Sequence, residues 1–309
     1  MDMSTTRSRI AIGQTSRMAV VVMAMAMFLA ACGGSAASPS ASVDASCAKD
    51  KLTLKTAGKL TIATSTPAYN PWFQGGNEGS AAIWAGDYGN DPAKSQGYEG
   101  DFAYRVASKL GFEATDVVWI ATDFNQSYAP GEKNFDFFIG QVSISAPRAE
   151  AVDFSSGYYN VFQGVVTVAG SPIAGATSIA ELKTAKLGAQ IGTTSLDAIN
   201  SVIKPETEVA VFDTNDEAVA ALEGGLIDGI VTDMPTAWYM SGVQLTDGIL
   251  VGQLPSDGGA QEQFGLVFEK GSALTACVSA SISSLEAEDV LTALLKQWIP
   301  DIANAPVLK

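Results

Sequence analysis

The chain has 309 residues, room for one large or two modest domains, and its 47% hydrophobic against 17% charged content allows a sizeable core and excludes wholesale disorder. Eighteen basic against 33 acidic residues give a formal charge of −15, which argues against nucleic acid as a partner and against attachment to anionic lipid by charge alone. The absence of histidine removes Ser-His-Asp and Cys-His catalysis and most zinc sites, and three cysteines at 32, 47 and 277 are too few and too scattered for a Cys-only metal site.

The chain opens as an address. Arg7, Arg9 and Arg17 precede an uncharged run from Met18 to Ala31. At ~1.5 Å per residue that run spans roughly 21 Å, short of the ~30 Å hydrocarbon core, so it has secretory rather than membrane-spanning proportions. It ends in Leu29-Ala30-Ala31-Cys32-Gly33, which resembles the bacterial lipobox. The expectation is a signal peptide over 1–31, lipid on Cys32, and a mature protein anchored outside the cytoplasmic membrane; the alternative is an ordinary signal peptide without lipid. Loss of 1–31 removes three Arg and one Asp and leaves a charge of −17. The Ser-, Ala-, Gly- and Pro-rich segment that follows, 32–47 with the lipid-bearing cysteine, predicts a flexible tether with a reach of roughly 20 Å.

Beyond the tether, strands and helices alternate. Strands are predicted at 59–64, 117–120, 135–139, 164–168, 186–190 and 229–232. A helix from Asp101 to Gly111 places Phe102, Val106 and Leu110 on one face, and Ser178 starts another. A third, Asp216 to Gly224, turns Val219 and Leu222 inward. Val290, Leu291, Leu294, Leu295, Trp298 and Ile299 recur at helical spacing before Pro300. The alternation predicts an α/β fold with mostly parallel sheets, and such sheets hold ligands at the carboxyl ends of their strands. The loops after Thr64, Ile120, Ile139, Gln190 and Thr232 are therefore the places for chemistry.

Six segments in register then resemble one family. Gly97-Tyr98-Glu99-Gly100-Asp101-Phe102-Ala103 with Leu110-Gly111, the single stretch from Asp136 to Arg148 that continues through Ala151-Val152-Asp153-Phe154-Ser155 to Tyr158-Tyr159, Gly192-Thr193-Thr194, Leu222-Glu223-Gly224-Gly225 with Ile227-Asp228-Gly229, Asp233-Met234-Pro235 and Phe264-Gly265-Leu266 are similar to the type II solute-binding proteins of family 3, over roughly 58–299. The resemblance implies two α/β lobes joined by two crossing strands, lobe 1 at 48–157 and 258–309 and lobe 2 at 158–257, with a free amino acid trapped between them. It implies delivery of that ligand to the permease and ATPase of an ABC importer, no cofactor, and a monomer. Ligand is expected to close the lobes. Residues 73–96 form an insert of some twenty residues relative to the family, expected as a surface excursion or a cover for the pocket.

The resemblance also assigns roles. Arg148, whose planar fork pairs both oxygens of a carboxylate, would grip the ligand's carboxylate with Ser143, Ser145 and the backbone near Gly140 and Gln141. Thr194, beside Thr193, would reach the same group from the second lobe, and Asp233 would accept the ammonium. Tyr69 and Phe124 would stack on the ligand, with Trp119 a core residue. Ser65 and Gln190 stand where some relatives carry an acid and a lysine, which favours a neutral polar side chain. Taken without the family, Arg148 reads rather as a helix-capping surface charge and Asp233 as a simple N-cap before Pro235. With Cys32 lipidated and the other two cysteines exported in one lobe, a Cys47–Cys277 disulfide is expected, two free thiols being the alternative. A dehydratase on this fold, using carboxylates among Glu99, Asp101 and Asp233, and a sensor for a membrane receptor are the other two readings.

Overall fold

The computed structural model describes residues 44–85, 89–256, 260–299 and 305–309. The segments expected to be a signal peptide, a lipidated Cys32 and the tether up to residue 43 lie outside the described residues, among which no helix is long and apolar enough to cross a membrane.

Two five-stranded sheets organise the body. The first has the order β2 (Val117–Ala121), β1 (Leu60–Thr64), β3 (Phe137–Phe138), β12 (Val267–Glu269), β4 (Val152–Phe154). The second runs β10 (Gly248–Gln253), β6 (Gln163–Val168), β9 (Gly229–Asp233), β7 (Leu187–Gln190), β8 (Ala210–Phe212). Between them β5 (Tyr159–Asn160) and β11 (Gln263–Phe264) pair antiparallel as the two crossing strands. The fold is thus two α/β lobes on a two-strand hinge. The sheets are mixed rather than mostly parallel: β12 is antiparallel to β3 and β4, and β6 to β9 and β10. Each reversed strand is the one that immediately follows a crossing, so it enters its sheet from the hinge while the others run towards the cleft.

Local sequence explains the principal elements. α1 (Tyr98–Lys109) begins after Gly97 at φ 86°, where a Cβ would lie 2.5 Å from the Trp72 carbonyl oxygen. Glu99 and Asp101 in its first turn and Lys109 in its last complement the helix dipole, and Phe102, Val106 and Leu110 are buried as their spacing predicts. The strand predicted over 135–139 is paired only at Phe137–Phe138, although Phe135 and Ile139 are buried. There the Asp136 carboxylate occupies the backbone N–H groups of Thr61 and Lys55. In the second lobe, core clusters on the two faces of the sheet include Leu187 and Val231 on one side, Ile230 and Leu222 on the other.

α8 (Leu274–Ala287) and α9 (Val290–Trp298) pack on α1. Cys277 of α8 is bonded to Cys47, with the Cα atoms 5.4 Å apart. The bridge spans 230 residues of chain. In the chain-entropy account so long a loop contributes on the order of 4–5 kcal/mol. Ala45–Cys47 form a 3-10 turn in which the Asp44 carboxylate accepts from the Ser46 N–H at 2.7 Å. The last residues assigned to the tether therefore belong to the body.

The insert at 73–96 is built against the first-strand loop. The Asn90 N–H and side-chain amide both donate to the Ala68 carbonyl (3.1 and 2.8 Å), Gly76 N–H donates to Asn90 Oδ1 at 3.0 Å, and Thr66 Oγ1 donates to the Ile83 carbonyl at 3.0 Å. It buttresses the loop after β1.

The assignment of all of 258–309 to lobe 1 is corrected at its end. Residues 305–309 lie along β10: Gln253 N–H donates to Pro306 O and Leu308 N–H to Gln253 O (2.8 and 2.9 Å), while Ile179 N–H donates to Lys309 O at 2.8 Å. Leu308, 1% exposed, belongs to a second-lobe core cluster. Leu308 shares that cluster with Leu182 of α4 (Ile179–Leu182) and with Val165, Leu187 and Val231 of the sheet, so its burial and the backbone bonds together hold the tail on lobe 2. Leu308→Ala is expected to destabilise lobe 2 by about 2–5 kcal/mol, read as a lower urea midpoint, whereas truncating an exposed tail would leave the midpoint unmoved.

Candidate ligand-binding site

A cavity of about 460 Å³ lies between the lobes, lined mainly by the carboxyl ends of β1, β7 and β9 and the loops after β2, β3 and β8. Of the residues expected at the site, Tyr69, Phe124, Gly140, Gln141, Ser143, Arg148, Gln190, Thr193, Thr194 and Asp233 line it. Ser145 does not: it is the N-cap residue of α3 (Ala146–Ala151), outside the cavity. Trp119 is also outside, its ring edge-on to Phe73 at 5.9 Å and its indole donating to Tyr104 Oη at 3.3 Å, as a core residue would be.

Arg148 projects from α3 into the cleft. Its Nη1 donates to the Ser143 carbonyl in lobe 1 and its Nη2 to the Gly192 carbonyl in lobe 2, both at 2.7 Å. Its guanidinium lies over the rings of Tyr128 (4.5 Å) and Phe124 (5.6 Å), an arrangement that stabilises a partly desolvated cation. Ser143 Oγ is 3.2 Å from Thr194 Oγ1, a further contact between the lobes. Thr193 caps α5 (Thr194–Ala198), accepting from Leu196 N–H at 3.2 Å. Gly192, at φ 73°, has no room for a Cβ, which would meet Tyr128 Oη at 2.5 Å and Asn125 Oδ1 at 2.6 Å, both from lobe 1.

Opposite stands Asp233, the last residue of β9. It is both a helix cap and a cavity residue: Oδ1 accepts from Thr236 N–H at 3.1 Å at the start of α7 (Met234–Tyr239). Thr236 Oγ1 in turn accepts from the Trp72 indole of lobe 1 at 3.0 Å. Trp72 sits edge-on to the hinge residues Tyr159 and Phe264 at 5.1 and 5.6 Å. The hinge and the Asp233 cap are thus linked through one side chain.

One expected role is corrected. The backbone N–H of Gln141, at φ 55°, donates to Glu99 Oε1 at 2.9 Å, and its side-chain amide donates to Glu99 Oε2. Tyr158 donates its hydroxyl to the same carboxylate. Gln141 therefore does not offer its amide N–H to a ligand; it is held in a left-handed conformation by a fully buried acid, and Glu99 positions the cavity floor.

Several lining residues escaped the sequence. Asp123 and Asn125 follow β2, Asp213 and Asn215 follow β8, and Gln163 opens β6 in register with Asp233. The carboxyl-end rule points to the first pair through β2. β8 is only three residues long and does not stand out, so its loop went unnoticed.

Burial pushes Glu99 up to about 7, against hydrogen bonds from Tyr158 and Gln141 that pull it down. Burial likewise pushes Asp233 up to about 6, against its hydrogen bond from Thr236. Both carboxyl groups sit above their unfolded values, so the stability they lend is complete at acid pH and is lost as pH rises through about 6 to 7. The ligand-free protein should accordingly show a Tm that falls between about pH 4 and pH 7, and Asp233→Asn, which keeps the cap, should flatten that slope. Glu99→Gln, a neutral isostere of the protonated acid, should remove the share of that slope due to Glu99, read as the change in urea midpoint between about pH 4 and pH 7.

Residues 86–301 match the family model described as bacterial extracellular solute-binding proteins, family 3. The ABC transporter glutamine-binding protein GlnH of Bacillus subtilis (strain 168) is 26% identical over 67% of this chain and 73% of its own. The L-cystine-binding protein TcyJ of Escherichia coli (strain K12) is 26% identical over 67% of this chain and 76% of its own. Among solved structures, an ancestral arginine-binding protein bound to arginine superposes with a TM-score of 0.62 at 24% identity, over 79% of this chain and 99% of that one, a likeness of fold. With the matched segment covering most of the chain and both lobes, the protein belongs to the bacterial extracellular solute-binding proteins, family 3.

Proposed function

We propose that the protein is an extracytoplasmic, lipid-anchored binding protein that captures a free amino acid between its lobes and delivers it to the permease and ATPase of an ABC importer. The observation that carries this reading is the placement of Arg148 from lobe 1 and Asp233 from lobe 2 in one cavity at the closed interface. An α-amino acid needs a cation for its carboxylate and an anion for its ammonium, and these two residues supply them. Gln163 Oε1 and Ser65 Oγ, both buried and without a hydrogen-bond partner in the structure, add polar atoms to the same lining. Buried polar groups left unpaired cost about 1–3 kcal/mol each, so a ligand with N–H donors gains by reaching them.

In this account the carboxylate replaces the Ser143 and Gly192 carbonyls on the Arg148 fork, forming stronger charge-assisted bonds. Tyr69 and Phe124 cover the aliphatic carbons. Because the donors come from both lobes, full coordination exists only when the cleft is closed, and ligand shifts the population that way. The names of the curated relatives, which bind glutamine and cystine, support a polar amino acid as the ligand class. The Cys32 context supports the anchor.

Arg148→Ala and Asp233→Ala are each expected to weaken binding by some 10²–10³-fold, by calorimetric titration against the amino acids, with the fold intact. Carboxamide and N-acetyl forms of the bound amino acid should fail in parallel; equal binding by either would replace the amino acid with another solute class. Affinity for the ammonium group should also fall as pH drops through about 6, where Asp233 takes up its proton. Cys32→Ser should release the protein from membranes or leave it unprocessed; recovery of that variant with membranes at the mature mass would remove the lipid anchor from the account.

A further inference from the structure

We infer that the captured amino acid carries a positive charge at the end of its side chain. This rests on the amino-acid reading above and assigns the part of the cavity that reading leaves unused. Among the described residues lining the cavity, Arg148 is the one cation, set against three carboxylates, Asp123, Asp213 and Asp233. The α-carboxylate and α-ammonium of a zwitterion neutralise Arg148 and Asp233. Asp123 and Asp213 are then left with no counter-charge, and neither takes part in any ion pair in the described structure.

Strand order says where these two acids lie. Asp123 follows β2 and Asp213 follows β8, and β2 and β8 are the edge strands of their sheets. The opposite edges are β4 and β10, the strands that lead into the crossings at β5 and β11. One carboxylate from each lobe therefore stands at the rim farthest from the hinge. Asp233 ends a central strand, so a ligand held there by its α-ammonium has room to extend its side chain outward between Asp123 and Asp213.

The walls along that path agree with this direction. Tyr69 and Phe124 line the cavity, and aromatic rings attract cations at their faces. The Asp216 carboxylate lies beside the Tyr69 hydroxyl and adds negative charge behind that wall. Glu217 accepts the Asp213 backbone N–H at 2.9 Å and adds more. A side-chain carboxylate in this position would meet acids from both lobes, and a neutral amide would leave them unpaired. The expectation from Ser65 and Gln190, a neutral polar side chain, weighed only the first-strand loop and β7; the acids stand on two other loops.

The test is a calorimetric titration of the whole mature protein with L-arginine, L-lysine, L-glutamine and L-glutamate at low ionic strength. Arginine or lysine should bind about tenfold or more tightly than glutamine, and glutamate more weakly than glutamine, because two charge pairs at a half-solvated rim differ by that order. In an Asp123→Asn, Asp213→Asn double variant the ratio of the better cation's affinity to that of glutamine should fall towards one. Both acids are exposed at the surface, so the variant should fold as the parent does. Raising the salt to about 0.5 M should shrink the same ratio. Glutamine binding as tightly as either cation, or a ratio that the double variant leaves unmoved, overturns the cationic assignment and leaves amino-acid capture standing. Binding by none of the twenty amino acids overturns the capture reading and this inference with it.

Discussion

A guanidinium drawn into a narrowing cleft has to keep its fork filled, and the way Arg148 does so organises much of the molecule. Its two arms are satisfied by carbonyl oxygens from opposite lobes, and its flat faces by Phe124 and Tyr128. Neutral carbonyls are adequate partners for a cation and inferior to a carboxylate, whose two oxygens match the fork. The arrangement keeps the charge solvated by protein while leaving it exchangeable. The same bonds draw the lobes together, so the residue suited to gripping an anion is also a latch across the cleft.

For such a latch to matter, the rest of each lobe must be stiff and the link between them pliable. Lobe 1 is pinned from Cys47 to Cys277, well behind its sheet, and lobe 2 receives Leu308 into its core. The crossing strands, by contrast, are two residues each. Around them Trp72, Tyr98, Tyr159 and Phe264 form an aromatic cluster whose contacts are edge-on or stacked, so it is ordered without being bonded to both lobes at many points. The Trp72 indole is the exception, because it reaches Thr236 and so senses where α7 stands. Rotation about the hinge would break that bond and the Arg148–Gly192 bond together.

How much of this was visible in the sequence depends on the kind of signal. Helix α1 announced itself through Phe102, Val106 and Leu110, and β1 through its β-branched run before a proline loop. Motif positions carried Arg148, Asp233 and Thr194 to the cavity because a short segment fixes its own loop geometry. Ser145 failed because, two residues past Ser143, it is the N-cap position of α3 and does not line the cavity that Ser143 and Arg148 on either side of it reach. The Gln141 amide failed because its partner, Glu99, is 42 residues away in sequence, and no local pattern shows that the two meet. Asp213 was missed for want of a visible β8, and the return of the tail to lobe 2 rests on Leu308 and on backbone bonds to Gln253 and Ile179, partners more than 50 residues away that no local pattern shows.

The missing side chain of Gly192 sets how closely the two lobes can approach. The atoms that a methyl group there would strike, Tyr128 Oη and Asn125 Oδ1, belong to the facing lobe, and those it would meet within its own lobe are farther off. The position is a steric gauge of cleft width, sensitive to a single carbon atom and remote from the hinge and from both cores. A side chain at this point would act as a wedge between the jaws, and at φ 73° it would also strain the backbone of its own lobe. It marks where an open-state reagent of this binding protein would be made, and where a reporter group would register the meeting of the two lobes.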